Sequence, residues 1–352
     1  MSPITQRPTL GRRGFLLATG ALLAAPLAAC GGSDDEPPAA GSSTGSIGAT
    51  DGFPARIEHK FGSTEVASTP QRVVAVGYND QDFALALGVV PLGFRQFQGA
   101  DISRRPWATS ALGDAKPELV GETEVEFEKI ASLRPDLILA VYSGITKSDY
   151  EKLARIAPTV AQTAEFVDYG MPWADQLELT GRALGRGEQA TKVAADVKAK
   201  IAAARDTLDV GDRSFAFGMG GTGPFYALAS ADLRSRFFTD LGFEVPAEID
   251  RASGKAFYTE LSEERLTVLD QDVLVMFGDE AALKKKPTFA SLEAVRENRV
   301  VYLDEQGAIS QAVGFSSPLS IPYALGEVVP RLQAVLDDDP KTVPEGTGPE
   351  AN

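Results

Sequence analysis

The sequence predicts an α/β protein with two Rossmann-like lobes, each built on a central, mainly parallel sheet, joined by a long backbone helix. Three observations support this fold class. Apolar strand-like runs alternate with helical stretches of ten or more residues, a helix-turn-strand pattern recurs after 136 residues, and a charged amphipathic stretch lies between the two copies. With 352 residues, of which 43% are hydrophobic, the chain is long enough for two cores of ordinary domain size.

Residues 1–29 predict an export signal. Arg12 and Arg13 precede an apolar run that is too short to span a membrane as a helix of the mature protein, and the arginine pair resembles a Tat-type signal. The stretch from Leu27 to Cys30 resembles a lipobox, in which the peptide is cut before the cysteine and the thiol is acylated. We therefore expect a lipoprotein that is anchored through Cys30 to the extracytoplasmic face of the cell membrane.

The composition of the mature chain limits its partners. Residues 30–55 and 336–352 are rich in Gly, Pro and acidic residues, so we expect a disordered tether and a disordered tail. Cys30 is the only cysteine, which leaves none for a disulfide in the folded part. Without the three arginines of the signal, 31 basic and 49 acidic residues give a net charge of about −18, and no basic run is longer than 284–286. This charge excludes a nucleic-acid partner, which needs a positive face.

The predicted N-terminal lobe spans residues 56–172. It opens with a strand, a polar turn, an amphipathic helix and a second strand in residues 72–94. A helix-turn-strand unit follows in "EKIASLRPDLILAV", residues 128–141. The apolar residues of this unit are first spaced by three and then form a continuous run, which is typical of a helix that leads into a strand buried on both faces.

Residues 173–208 are predicted to form the connecting helix. From Ala190 to Leu208 apolar residues recur at spacings of three and four, with charged residues between them, which predicts an amphipathic helix of about five turns. A helix of this length would act as a strut that limits hinge motion between the lobes.

The predicted C-terminal lobe, residues 209–335, repeats the order of the first. Residues 213–246 follow the pattern of 72–94 with a longer turn. The stretch "ERLTVLDQDVLVMF", residues 264–277, aligns without gaps on the earlier helix-turn-strand unit. We therefore expect one helix-flanked sheet in each lobe.

A glycine array leaves an enzymatic function open. Gly218, Gly220 and Gly223 form a GxGxxG pattern directly after a predicted strand, which resembles the dinucleotide-binding turn of an NAD(P)-dependent oxidoreductase exported by the Tat route. Pro224 follows the last glycine, where that turn needs a helix. The only histidine, His59, leaves no second one for a histidine-based triad or a multi-histidine zinc site. We therefore expect a protein without catalytic residues.

From Pro70 to about Leu332 the chain resembles the class III, or helical-backbone, substrate-binding proteins of ABC importers, in the branch that captures ferric siderophores and cobalamin. The resemblance rests on the order and spacing of "PQRVVAVGYNDQDFALALGVVPLGF", "FEKIASLRPDLILAVYSG", "YEKLARIAPTV", "GRALG", "LSEERLTVLDQDVLVMFGD" and "LEAVRENRVVYLD". It implies a monomer that holds a ferric siderophore between its lobes and delivers it to an ABC permease. Cobalamin and haem remain alternative ligands, and no cofactor is implied beyond the iron carried within the siderophore.

The resemblance also implies two residues that dock on the permease. In this family one acidic residue per lobe, at the top of the repeated helix, pairs with permease arginines, and Glu128 and Glu264 fall at the matching positions. Glu263 could serve in place of Glu264. A structural alternative also remains, because the helix macrodipole alone stabilises a glutamate in the first turn by about 0.3–1 kcal/mol.

The ligand is expected outside the carboxyl ends of the strands, where loops supply side chains. These loops are rich in aromatic residues and arginine. Aromatic side chains would bury the apolar rim of a siderophore and arginine would pair with its chelating oxygens, although each aromatic residue could equally belong to ordinary packing within a lobe. The candidate ligand-binding residues are Tyr78, Arg95, Trp107, Tyr142, Tyr226, Arg251, Phe257 and Tyr258.

Overall fold

The computed structural model describes residues 52–97, 105–221, 223–305, 307–337, 339 and 341–342. The predicted signal peptide, Cys30 and almost all of the predicted tether lie outside the described residues, as do the last ten residues of the predicted tail. No helix in the described part of the chain combines the length and the apolar character that crossing a membrane requires.

The first lobe is a five-stranded parallel sheet preceded by an antiparallel hairpin of β1 (Ala55–His59) and β2 (Gly62–Val66). The sheet strands are β3 (Val73–Ala75), β4 (Gly93–Phe94), β5 (Glu118–Leu119), β6 (Leu137–Ala140) and β7 (Thr159–Ala161). Their spatial order is β5-β4-β3-β6-β7. The helices are α1 (Asp80–Ala86), α2 (Thr109–Leu112), α3 (Phe127–Ser132) and α4 (Lys147–Ala154). The central strands β3 and β6 are buried throughout, as their continuous apolar runs predict.

The connecting segment is two helices, α5 (Trp173–Leu184) and α6 (Gly187–Arg205), so the prediction of one helix over 173–208 is wrong. The break follows from Gly185, which ends α5 in the left-handed conformation with φ 64°. A Cβ at Gly181 would lie 2.6 Å from the Cβ of Ala190, so the two helices pack closely against each other. The 19-residue helix α6 is therefore the strut that leads into the second lobe.

The second lobe also contains five strands, namely β8 (Phe215–Met219), β9 (Phe225–Leu228), β10 (Tyr258–Leu261), β11 (Val273–Phe277) and β12 (Val300–Leu303). Their order is β10-β9-β8-β11-β12, with β8, β11 and β12 parallel and β9 antiparallel to both of its neighbours. A 3₁₀-helix covers Glu263–Leu269. The α-helices are α7 (Leu233–Asp240), α8 (Ala247–Ser253), α9 (Glu280–Lys284), α10 (Pro287–Ala290), α11 (Glu293–Arg296), α12 (Ala308–Phe315) and α13 (Ser320–Leu336).

The two repeated units occupy equivalent places. Helix α3 leads into β6 and the 3₁₀-helix leads into β11, and each of these strands pairs in parallel with the first strand of its sheet. The carboxylate of Asp136 accepts the backbone N–H groups of Gln71 and Arg72 at 2.8 Å each. That of Asp272 accepts the backbone N–H and the hydroxyl of Ser214 at 2.8 and 2.7 Å. In each lobe, the repeated aspartate thus links the start of the strand that it precedes to the start of the neighbouring central strand.

The second lobe departs from the prediction after β8. The long turn predicted within 213–246 contains β9, which forms a hairpin with β8 in which Met219 lies opposite Tyr226. A strand rather than a helix follows the glycine array, so the dinucleotide-binding turn that the sequence left open is wrong. Gly220 serves close packing instead, because a Cβ there would lie 2.5 Å from Cδ1 of Phe225.

One hydrophobic core extends through both lobes. It includes Val73 and Leu137 of the first sheet, Phe215 and Val275 of the second, and Leu177 of α5, all of them fully buried. The opposite faces of the two sheets are covered separately, by α3 and α4 in the first lobe and by the 3₁₀-helix and α10 in the second. A large hinge rotation would expose part of the shared core, so we expect only modest closure.

Candidate functional site

A cavity of about 390 Å³ lies between the lobes, at the carboxyl ends of the central strands. The first lobe lines it with four aromatic residues, Tyr78, Phe97, Tyr142 and Tyr169. The second lobe contributes Met219, Asp232, Arg234, Phe257, Phe277, Glu305, Ser310, Gln311, Gly314 and Phe315. Half of the lining residues are therefore aromatic, which suits a ligand with an apolar rim and a few polar atoms.

Asp80 holds together the two loops that carry cleft tyrosines in the first lobe. This first residue of α1 is 1% exposed, and its carboxylate accepts backbone N–H groups from Gly77 and Val141 at 2.9 Å and from Tyr142 at 3.0 Å. Only glycine fits at position 77, because a Cβ there would lie 2.3 Å from Oδ2 of Asp80. Burial raises the pKa of Asp80 to about 6, although the three N–H groups act in the opposite direction.

Arg95 packs behind the tyrosines of the first lobe. Its guanidinium carbon lies 4.0 Å from the ring centroid of Tyr78, and its Nη2 donates to the carbonyl of Ser143 at 3.5 Å. The side chain is 5% exposed and lines a neighbouring cavity of about 460 Å³, which shares Tyr78 and Tyr169 with the cleft. Arg95 therefore orients Tyr78 by a cation–π contact and does not line the main cavity.

Tyr169 is a cleft residue that the sequence reasoning missed. It follows β7 in the left-handed conformation, with φ 64°, and its hydroxyl donates to the carbonyl of Ser143 at 3.3 Å. The ring lies against Gly144, where a Cβ would be 2.1 Å from the tyrosine hydroxyl, and 5.1 Å from the ring of Tyr142. Its loop, "VDYG", carried no strand-end signal beyond a short apolar run before it.

The second lobe offers a fixed guanidinium. Arg234 donates from Nε and Nη2 to the two carboxylate oxygens of Asp232, both at 2.8 Å, and its Nη1 lies 3.1 Å from Sδ of Met219. Asp232 also caps α7 by accepting the backbone N–H of Arg234 at 2.8 Å. Burial alone would lower the pKa of Arg234, but Asp232 raises it, so the guanidinium stays charged.

Two cleft tyrosines, Tyr142 and Tyr169, stay protonated. Burial raises the pKa of the Tyr142 phenol, and the negative charge of Asp232 raises it further. Burial likewise raises the pKa of Tyr169. At neutral pH these hydroxyls can therefore donate hydrogen bonds to ligand oxygens.

Polar contacts join the lobes beside the cleft. Asn79 donates from Nδ2 to the carbonyl of Phe315 at 2.8 Å, and the hydroxyl of Ser317 donates to Asp82 at 3.0 Å. The indole N–H of Trp107 donates to the same oxygen of Asp82 at 2.8 Å. The "GYND" loop therefore connects the lobes as well as supplying Tyr78.

The structure brings four of the eight predicted ligand residues to the cleft region. Tyr78, Tyr142 and Phe257 line the cavity, and Arg95 lies directly behind Tyr78. Trp107 does not line it: the side chain is 9% exposed, packs 5.5 Å from the ring of Tyr323 and belongs to the core. The sequence does not show whether an apolar side chain in a loop lines a cleft or packs into the core.

The remaining three predicted residues lie outside the cavity lining. Arg251 belongs to helix α8 rather than to a loop, and its side chain is exposed. Tyr226 and Tyr258 are diagonal neighbours on the paired strands β9 and β10, with ring centroids 5.4 Å apart. The prediction that both tyrosines lie in loops is therefore wrong, because they belong to strands β9 and β10.

Besides Tyr169, the sequence reasoning missed the charged residues of the second lobe. Asp232, Arg234 and Glu305 all line the cavity, and none was selected from the sequence. One signal was available, since "SADLRSRFF" contains an aspartate at the position of a helix N-cap, with an arginine two residues after it.

The two glutamates of the repeat are exposed at the starts of their helices. Glu128 lies in the first turn of α3 and Glu264 in the first turn of the 3₁₀-helix, and within the described residues neither carboxylate has an ion-pair partner within 4.0 Å. Glu263 is engaged, because it lies 3.5 Å from Nζ of Lys286 and 3.4 Å from the hydroxyl of Thr288.

A second groove, of about 560 Å³, lies on the strut side of the molecule. It is lined by residues of α5, α6 and α7, among them Trp173, Lys198 and Arg236. The carboxyl ends of the strands do not contribute to it. The cleft between the lobes, where loops of both sheets meet, is therefore the better candidate for the ligand site.

Comparison with known proteins agrees with the geometry. Residues 73–306 match the family described as periplasmic binding protein. The Fe(3+)-citrate-binding protein YfmC of Bacillus subtilis is 27% identical over 256 residues, which cover 70% of this chain and 78% of YfmC. The iron(3+)-hydroxamate-binding protein FhuD of the same organism is 27% identical over 316 residues, which cover 85% and 91% of the two chains.

The likeness extends to three dimensions. The crystal structure of Streptococcus pneumoniae PiaA in complex with ferrichrome superposes with a TM-score of 0.71 at 27% identity, and the match covers 81% of this chain and 99% of PiaA. The residues matched to the family run from β3 to the loop after β12, so they include both sheets, the strut and most of the cleft loops. The chain belongs to the periplasmic binding protein family and has the two-lobed α/β fold of its class III members.

Proposed function

We propose that this protein captures a ferric siderophore in the cleft between its lobes and delivers it to an ABC-type permease for iron uptake. The observation that carries the proposal is the cleft itself, whose described lining combines seven aromatic side chains, one fixed arginine and the protonated hydroxyls of Tyr142 and Tyr169. Aromatic faces would bury the organic rim of a chelate, and the donors would bind the oxygens around its iron. The names of YfmC and FhuD, which refer to iron chelates, support this ligand class.

Haem and cobalamin are the alternative ligands. Haem held by tyrosine would need a phenolate on the iron. Burial and Asp232 both raise the pKa of Tyr142, and burial raises that of Tyr169, which disfavours the phenolate at both positions. The charge state of Tyr142 and Tyr169 therefore favours hydrogen bonding to a pre-formed chelate over direct ligation of iron.

Delivery would use Glu128 and Glu264. Helix α3 joins parallel strands β5 and β6, so its first turn lies at the carboxyl edge of the first sheet, and the first turn of the 3₁₀-helix lies at the same edge of the second sheet. Both carboxylates thus lie at the edges that face the cleft opening, one per lobe. Exposed charges at equivalent positions can set register and steer the approach to a two-part permease. The engagement of Glu263 with Lys286 favours Glu264 for this role.

The proposed location is the extracytoplasmic face of the cell membrane, with a lipid on Cys30. The supporting evidence is the sequence of the signal and lipobox together with the family's solute-binding role. Labelling of growing cells with a fatty-acid probe would show incorporation into the wild-type chain and none into a Cys30→Ala variant.

Quenching of intrinsic fluorescence tests the ligand class. The purified chain would be titrated with ferric hydroxamates, ferric catecholates, ferric citrate, cobalamin and haemin. We expect saturable quenching by at least one ferric siderophore, with micromolar or tighter affinity. Saturation by cobalamin or haemin, with no response to any ferric chelate, would refute the proposed function.

A further inference from the structure

The described side chains that line the cleft carry more negative than positive charge. Among the described residues that line the cavity, Arg234 is the only cation, and it is paired through two hydrogen bonds with Asp232. Glu305 lines the same cavity and is close enough to raise the pKa of Arg234. The lining therefore carries one positive and two negative side chains.

The two arginines that lie near the cavity without lining it do not change this balance. Arg105 packs on the ring of Phe315 and pairs with Asp82 at 3.4 Å. Arg95 lies behind Tyr78, within electrostatic reach of the buried Asp80. The neighbouring cavity contributes Lys152, which pairs with Asp149 at 3.2 Å, and also the carboxylate of Glu124.

We infer that the chelate recognised by this cleft carries no net negative charge, so that it is a ferric trihydroxamate rather than a ferric catecholate or citrate complex. The inference rests on the proposed function and specifies its ligand. Three hydroxamates neutralise ferric iron, and a free amine can make the complex cationic, whereas three catecholates leave three negative charges. An anionic chelate would meet the exposed carboxylate of Glu305 and no unpaired cation in the described lining, on a protein whose formal net charge is −15.

The pairing of Arg234 suits a neutral ligand. Asp232 fixes the guanidinium plane and cancels its charge, while Nη1 remains directed at the thioether of Met219, a weak acceptor 3.1 Å away. A hydroxamate oxygen that replaces this contact would receive a stronger hydrogen bond. The cleft thus supplies oriented donors, from Arg234 and the protonated Tyr142, without surplus positive charge.

Titration of the purified chain at about 0.15 M salt with four chelates tests the inference: ferrioxamine B (cationic), ferrichrome (neutral), ferric citrate and ferric enterobactin (both anionic). We expect the cationic and neutral trihydroxamates to bind at least about tenfold more tightly than either anionic complex. Tightest binding of an anionic chelate would overturn the inference and leave the proposed function standing. Failure of all four to bind would instead refute the proposed function, and the inference with it.

A pair of variants tests whether the cleft charge is the cause. Glu305→Gln removes one negative charge from the cavity, and Glu178→Gln removes one from the exposed face of helix α5. We expect Glu305→Gln to weaken ferrioxamine B and strengthen the anionic chelates, each by about three- to tenfold, with little change for neutral ferrichrome. Glu178→Gln should leave all four affinities within a factor of about two. Equal effects of the two variants would contradict the role of the local charge.

Discussion

At the scale of single residues, the cleft depends on two carboxylates that the sequence did not reveal as site residues. Asp80 accepts hydrogen bonds from three backbone N–H groups of the first lobe, and Asp232 fixes the orientation of Arg234 in the second. Neither has to touch the ligand to determine where the tyrosines and the guanidinium lie. Aromatic residues were the visible signal in the sequence, whereas the groups that orient the cleft side chains are short acidic residues at helix starts.

Asp80 should make stability depend on pH. Its folded-state pKa of about 6 lies above the ordinary aspartate value of 3.8, so the folded protein binds this proton more tightly than the unfolded chain. Stability should therefore fall as pH rises from about 4 to about 6, by on the order of 3 kcal/mol from this group alone, and should then level off. Denaturant unfolding of the wild type and Asp80→Asn between pH 4 and 8 measures it. The difference in unfolding free energy between the two proteins should change across that window, and a constant difference would contradict the assignment.

Arg234 should matter for binding and Arg251 should not. Arg234 lines the cavity with its orientation fixed, whereas Arg251 is exposed on α8 outside the cavity. Replacing Arg234 by Gln removes a charged donor and leaves Asp232 without its partner, so we expect ferric chelate affinity to fall by about tenfold or more. Arg251→Gln, which removes the same charge, is the matched control and should bind normally. Equal affinity losses in calorimetric titrations of the two variants would show that the cleft is placed wrongly.

At the scale of elements, the sequence predicted what local periodicity determines. The repeated unit was recognisable because a spacing of three followed by a continuous apolar run has few other structural solutions, and both copies form a helix and a buried central strand. The hairpin of β8 and β9 was missed, since its strands are separated by glycines that equally suit a loop. Because β9 is not predicted from the sequence, Tyr226 and Tyr258 are predicted as loop residues of the cleft. The positions of Tyr169 and Arg234 depend on contacts between distant parts of the chain, which periodicity does not encode.

The break between α5 and α6 should be sensitive to substitution. At Gly185, with φ 64°, an added Cβ would lie 2.5 Å from Cε2 of Phe53, so Gly185→Ala combines backbone strain with a clash. Gly211 has a similar φ of 55° with nothing within 4 Å of the added Cβ, so Gly211→Ala carries the strain alone. We expect chemical denaturation to show a loss of about 2–3 kcal/mol for the first variant and about 1 kcal/mol for the second.

The contribution of the clash can be isolated by a double-mutant cycle. Phe53→Ala in the Gly185→Ala background should recover part of the loss, because the contact atoms are removed. If the two substitutions were strictly additive in unfolding free energy, packing of Phe53 on the break would not be the reason for the glycine.

At the scale of the whole molecule, two related halves share one core and one strut. Each half presents, at the same edge of its sheet, a glutamate that has no ion-pair partner among the described residues. The ligand cleft and the two carboxylates are separate features of this arrangement. Mutations should therefore be able to impair delivery without impairing ligand binding, and the reverse.

The separation can be tested with Glu128→Gln and Glu264→Gln. Neither residue lines the cavity, so ligand affinity should stay within a factor of about two, while uptake of labelled ferric siderophore by cells that depend on this protein should fall about three- to tenfold for each variant. Glu263→Gln is the matched control, because its carboxylate is already engaged by Lys286, and uptake should be near normal. A loss of ligand binding in either docking variant would place that glutamate in the binding site. Of these two adjacent glutamates, only Glu264 has a carboxylate without an ion-pair partner in the described structure. If Glu263→Gln lowered uptake as much as Glu264→Gln, delivery would therefore depend on general surface charge and not on two defined contacts.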